Sequence, residues 1–117
     1  MTDLRDADST DGAVTMINVI EIPADQVDAF LTGWHERAHI MSTLPGFRDY
    51  QLHRALLGDS RFQLVNIARW DSLEAFQAAV ANSDFLTRMR ELEADPRFDV
   101  AGNPGLYRVV DHDQRES

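Results

Sequence analysis

An α+β fold of the βαββαβ ferredoxin-like type, built on a four-stranded antiparallel sheet, is predicted by three features of this 117-residue chain. Short segments rich in β-branched or alternating apolar residues read as strands. Two longer stretches with apolar residues at helical spacing fall between the first and second strands and between the third and fourth. A short turn joins the second strand directly to the third, which completes the split βαβ order.

The first strand is Val14 to Ile22, rich in β-branched residues, interrupted by Asn18 and stopped by Pro23. A long amphipathic helix follows, with Val27, Leu31, Trp34, Ala38 and Met41 on one stripe, Asp25 and Asp28 near its start, and Pro45-Gly46 just past its end. Phe47 to Ala55 reads as the second strand, Leu56-Leu57-Gly58-Asp59-Ser60 as a hairpin turn and Arg61 to Trp70 as the third strand. Ser72 is placed to cap a second helix, whose buried stripe is Leu73, Phe76, Ala79 and Val80. After Asn82-Ser83 the spacing resumes with Phe85, Leu86, Met89 and Leu92 as far as Asp95-Pro96, so this helical region is predicted to be broken or kinked. A loop containing Pro96, Gly102, Asn103, Pro104 and Gly105 then leads to a fourth strand, Leu106 to Val110.

The totals narrow the function classes. With 44% hydrophobic residues the chain suits one compact domain, 14–110, between an acidic tail expected to be disordered (1–13) and a polar tail (111–117). A formal charge of −9 argues against nucleic acid or an anionic membrane as partner, because both require a positive footprint. The absence of cysteine removes disulfides, thiolate chemistry and Cys-based zinc or iron–sulfur sites. No apolar run approaches the ~20 residues that span a bilayer, and the N-terminus lacks a secretory pattern. A cytoplasmic protein is the expectation.

One strand carries an anomaly. Alternation puts Phe62, Leu64, Asn66, Ala68 and Trp70 on one face of the third strand, so a carboxamide stands where an aliphatic side chain would be expected. Burying an unpartnered amide costs roughly 1–3 kcal/mol, so Asn66 should meet a protein or ligand group. In the predicted topology the first and third strands are central neighbours, which puts Asn18 on the same face and suggests a cavity under the helices. The opposite face carries Ile17, Val19, Val65 and Ile67, and packing against the sheet of a second copy is the simplest way to cover it.

Other residues have competing readings. His35-Glu36-Arg37-Ala38-His39 matches the H-E-x-x-H zinc pattern, but Glu36 faces away from the histidines on a helical wheel and no third ligand follows. A helix-edge histidine pair is the better reading. Trp34 reads as core, or as the floor under an aromatic ligand. Arg88 and Arg90 read as solvated partners of Glu91 and Glu93, unless Arg90 turns inward to anchor a phenolate or carbonyl oxygen. His53 is the only histidine on a strand.

Pro45-Gly46-Phe47, a strand ending in Asn66-x-x-x-Trp70, and Ser72-x-Glu74-Ala75-Phe76 together resemble the antibiotic biosynthesis monooxygenase family of dimeric α+β barrels, over roughly Val14 to Val110. Within it the chain is most similar to small cofactor-independent anthrone monooxygenases of polyketide pathways. That resemblance implies catalytic roles for Asn66, Trp70, His53 and Arg90, and a substrate pocket including Asn18, Trp34, Phe76 and Met89. It implies a homodimer acting on a small aromatic substrate with O2, and no metal or prosthetic group. Phe76 stands where those enzymes have tyrosine, which removes a phenolic donor. The family also holds haem- and reduced-flavin-using members. The haem-degrading ones use an asparagine matched by Asn18, whereas their tryptophan and iron-ligating histidine are replaced here by Ala79 and Met89.

Overall fold

The computed structural model describes residues 12–113, so most of the tails expected at 1–13 and 111–117 lies outside the described residues. The elements are β1 (Val14–Glu21), a 3-10 turn (Ala24–Gln26), α1 (Val27–Ser42), β2 (Phe47–Arg54), β3 (Phe62–Trp70), α2 (Leu73–Val80), α3 (Ser83–Glu93) and β4 (Ala101–Tyr107). The sheet has the order β2-β3-β1-β4 with every neighbouring pair antiparallel, which is the ferredoxin-like arrangement. Its helix-facing side holds the core.

Each element follows from local chemistry. Val27, Phe30, Trp34, Ala38 and Met41 form the buried stripe of α1, and Arg37 is buried with them. Gly46, at φ +86°, makes the reversal into β2, a backbone state that side chains with a Cβ rarely adopt. Its carbonyl accepts from the Asp71 N–H at 2.7 Å, and a Cβ at this position would run into that of Ala75. The turn is thereby seated against the start of α2. Ser72 caps that helix, its Oγ accepting from the Ala75 N–H at 3.0 Å, and Asn82 caps α3, its Oδ1 accepting from the Phe85 N–H at 3.0 Å. The predicted break in the second helical region lies at this second cap.

The fourth strand is displaced from its expected position. It runs Ala101–Tyr107 and takes in the Gly102-Asn103-Pro104-Gly105 stretch that reads as loop. As the outermost strand β4 pairs only with β1, and edge strands are where proline is tolerated. Gly102 also admits the Asn18 side chain, whose Oδ1 would lie 3.3 Å from a Cβ there.

Two irregularities set which side chains face the helices. The β2–β3 register shifts between Phe47 and Asp49, so Arg48 is an extra residue and the alternation resets, leaving Tyr50 and Leu52 on the helix side. The β1–β3 register shifts at Ile20/Glu21, which leaves Gln63 unpaired in that ladder. The core itself falls into two clusters. Ile20, Ile22, Val27, Phe30, Trp34, Ala38, Leu64 and Phe98 form one; Met41, Trp70, Ala79 and Phe85 form the centre of the other. Tyr50 packs against both.

On the opposite face Ile17, Val19, Val65 and Ile67 are only half-buried. Beside them Arg69 makes a two-pronged ion pair with Asp49, holding that carboxyl below the usual carboxylate range. Such a group adds stability above about pH 4, lost as the pH falls through its lowered folded value. Because the pair is solvent-exposed, Asp49→Asn should flatten the acid limb of a pH–stability curve by less than ~1 kcal/mol. Gly46→Ala is expected to lower unfolding free energy in urea by roughly 1–3 kcal/mol through overpacking and strain, with Ala75→Gly recovering only the steric share.

Candidate functional site

The two carboxamides meet. Asn18 and Asn66 are directly paired across β1 and β3, so both lie on the helix-facing side at the middle of the sheet. Along β3, Leu64 belongs to one hydrophobic cluster and Trp70 to the other, and Asn66 marks the seam between them. Asn66 is 1% exposed, and its Oδ1 has no hydrogen-bond partner. The Nε1 groups of Trp34 and Trp70 are likewise buried and unpartnered. Buried polar atoms are paired in the great majority of cases, so these open groups on the helix side of the sheet make this region the candidate site.

A cavity of about 30 Å³ is lined by Asn18, Trp34, Arg37 and Met89 among others; Asn66, the strand partner of Asn18, and Trp70 are not part of its lining. Its volume is room for one or two water molecules. Met89 and Leu92 of α3 close it on one side, and α3 sits tightly on α1, since a Cβ on Gly33 would come within 3.2 Å of a Leu92 methyl. Asn18 contributes with one hand occupied: its Oδ1 accepts from the Asn103 N–H at 2.8 Å. Its amide nitrogen is the group that can face a ligand.

Arg37 is the residue that the sequence did not disclose. It is 4% exposed, lines the cavity, and stacks its guanidinium 5.0 Å from the Trp34 ring centroid and 5.8 Å from that of Phe30. Arginine suits such a position because its planar cation stacks on aromatic faces while its long stem packs as a hydrocarbon. The available signal was spacing, as Phe30, Trp34, Arg37 and Met41 fall at i, i+4, i+7 and i+11 on the buried stripe.

The remaining predicted residues divide. Trp70 is buried and meets Phe47 and Phe76 edge-on, at centroid distances of 5.2 and 5.9 Å. Trp34 is core and cavity wall at once, and Met89 lines the same cavity. Phe76 touches Trp70 but does not line the cavity.

His53 and Arg90 require correction. His53 pairs with Val65 on the far side of the sheet and is exposed, so it cannot reach Asn66 within one chain. Unbroken alternation from Phe47 would have carried it inward, and the bulge at Arg48 turns it out. Arg90 is exposed on α3, leaving the interior positive charge to Arg37. His35, Glu36 and His39 are exposed on α1, and the described residues contain no metal-binding cluster of acidic and histidine side chains.

The family model described as Antibiotic biosynthesis monooxygenase matches residues 13–91. A mycobilin-producing haem oxygenase of Mycobacterium tuberculosis is 40% identical over 65 residues, covering 56% of this chain and 60% of that protein. The chain thus spans about 60% of the length of the curated relatives it matches. Among solved structures, SnoaB from Streptomyces nogalater, a cofactor-independent oxygenase, superposes with a TM-score of 0.71 at 25% identity, over 86% of this chain and 96% of that one. A Shewanella loihica protein provisionally described as a monooxygenase gives 0.69 at 32% identity, over 86% and 97%.

If the open Asn66 oxygen serves a ligand and not the fold, an apolar side chain of similar size should suit the unliganded protein better. Asn66→Leu is expected to raise unfolding free energy by roughly 1–2 kcal/mol in chemical denaturation. A loss of stability would instead give Asn66 a structural role.

Proposed function

The chain belongs to the antibiotic biosynthesis monooxygenase family, and on that premise we propose that it is an oxidoreductase that oxidises an acidic, electron-rich aromatic of the anthrone or phenol type with O2. In this reading the substrate is itself the electron source. Ground-state O2 is a triplet and reacts poorly with closed-shell molecules, whereas a delocalised carbanion or phenolate can give it one electron. An anthrone methylene loses a proton and the anion reduces O2. The radical pair joins through a C–O bond, and the resulting hydroperoxide, once protonated, loses water to leave a ketone. One substrate and one O2 give one quinone and one water.

The observation that carries this reading is the buried, unpartnered side-chain oxygen of Asn66 on the residue paired with Asn18. Polar groups fixed in a dry site orient a substrate, and the donors among them stabilise negative charge, without the reorganisation that water requires. The Asn18 amide nitrogen, a donor, is assigned to the substrate oxygen on which the negative charge collects, and the Asn66 oxygen, an acceptor, to the O–H of a substrate hydroxyl. Trp34 and Trp70 supply flat walls with indole N–H groups that lack protein partners, and Arg37 supplies buried positive charge. Phe76 packs edge-on against Trp70 and so sets the position of that indole. Seating a ring system needs more space than the cavity offers, so α3, which carries Met89 and Leu92, swings away from α1 on binding. The half-buried outer sheet face is covered by a second copy of the chain.

Haem is the rival suggested by the mycobacterial relative. The donor set argues against a histidine-ligated haem at this site, because none of the four histidines of the chain lines the cavity. Met89 occupies the position at which the haem-degrading members carry that ligand.

Oxygen uptake with an anthrone substrate is the direct test. The wild-type chain is expected to consume O2 and form quinone in equal amounts, and Asn66→Ala to lose about a hundredfold or more in turnover. Full activity in that variant would remove Asn66 from the reaction. A wild-type protein inert to anthrones that acquires a Soret band on haem titration would favour the rival.

A further inference from the structure

The donor that Asn18 offers to the cavity depends on two residues of the edge strand β4. The two ends of a carboxamide are nearly the same shape, so a free asparagine presents either its oxygen or its nitrogen to whatever it faces. At position 18 one orientation is selected. The Asn103 N–H donates to Oδ1 at 2.8 Å, and only the oxygen can take that bond, since an amide nitrogen is no acceptor. With the oxygen engaged, the N–H2 is the group left for the cavity that Asn18, Trp34, Arg37 and Gly102 help to line.

The direction of the side chain is fixed as well as its polarity. β1 lies between β3 and β4, and Asn18 leans toward β4: a Cβ on Gly102 would lie 3.3 Å from its Oδ1, 3.4 Å from its Nδ2 and 3.8 Å from its Cγ. The carboxamide therefore rests against the glycine. Leaning the other way it would meet Asn66, its directly paired neighbour on β3, whose open Oδ1 is the acceptor that an amide N–H2 satisfies. Two asparagines paired in that manner close on each other and leave nothing for a ligand. Here they stay apart. Asn103 grips the same stretch of β1 a second time, its Nδ2 donating to the Val19 carbonyl at 2.9 Å.

From this we infer that Gly102 and Asn103 are positioning residues: they hold the Asn18 carboxamide with its oxygen engaged and its N–H2 turned to the cavity, and they keep the Asn18–Asn66 pair from satisfying itself. Gly102 acts by lacking a Cβ, and Asn103 by its backbone N–H together with its side-chain grip on Val19. Both act through Asn18. The inference rests on the reading of Asn18 as the donor to a substrate oxygen, and it adds a consequence for specificity. A site of this polarity takes an acceptor atom opposite Asn18 and rejects an amine or ammonium there, because two donors would then face each other unpaired.

A double-mutant cycle separates positioning from a general effect on the strand. With anthrone and O2, Asn18→Ala is expected to lower kcat about a hundredfold and Gly102→Ala about tenfold, each with KM changed less than about threefold. In the Asn18→Ala background, Gly102→Ala should change the residual kcat less than about twofold, because no carboxamide is left to displace. An equal loss in both backgrounds, or a Gly102→Ala enzyme with wild-type kcat, would overturn the inference. Amide NMR of the ligand-free protein reads the anchor apart from the reaction. The Asn103 N–H resonance is expected to move upfield and to exchange with solvent roughly tenfold faster in Asn18→Ala and in Gly102→Ala. An Asn103 amide unchanged in Asn18→Ala would equally overturn the inference. A wild type inert to anthrone would remove the reaction proposed above, and the Asn103 resonance then decides the anchor alone. Should Gly102→Ala fold poorly, Asn103→Ala, which keeps the N–H and loses the grip on Val19, enters the same cycle under the same criteria, with a loss of about threefold expected.

Discussion

A carboxamide at the middle of the central strand, with its oxygen facing no donor, is the constraint around which the rest of this molecule is arranged. An aliphatic residue at Asn66 would let the side chains under the helices close into a single apolar core. Instead the core falls into a Trp34 cluster and a Trp70 cluster, with a small cavity at Asn18 and a stacked cation in its wall. The second asparagine of the pair is tied to the edge strand through the Asn103 N–H, so its oxygen, unlike that of Asn66, is satisfied within the fold.

Backbone irregularities decide which chemistry reaches that interior. One extra residue at Arg48 turns Tyr50 and Leu52 inward and His53 outward, and one at Gln63 supplies the clamp of the hairpin. Neither bulge alters the topology. Both alter which side of the sheet a functional group faces, because the strand period is two and a single insertion reverses it.

This explains how much was legible in the sequence. The order of elements, the cap at Ser72, the break near Asn82 and the facing of Asn18 and Asn66 all rest on short-range patterns that tertiary packing did not override. The position of β4 was hidden, since glycine and proline read as loop and only pairing with β1 makes them strand. His53 was misplaced because a bulge leaves little local signal. Arg37 was obscured by its place inside an H-E-x-x-H pattern, where the histidines draw attention and the buried residue is the arginine.

The separate cap at Asn82 has a mechanical consequence. A single continuous helix over this region would have to bend or unwind to uncover the cavity, breaking backbone hydrogen bonds in a low-dielectric setting. With its own capped start, α3 can pivot about Ala81-Asn82 as a rigid lever while α2 stays fixed by Ser72 and by the Gly46 turn. Opening as proposed then works against side-chain packing between α1 and α3, which includes the seat of Leu92 over Gly33, and leaves the backbone hydrogen bonds of the two helices intact.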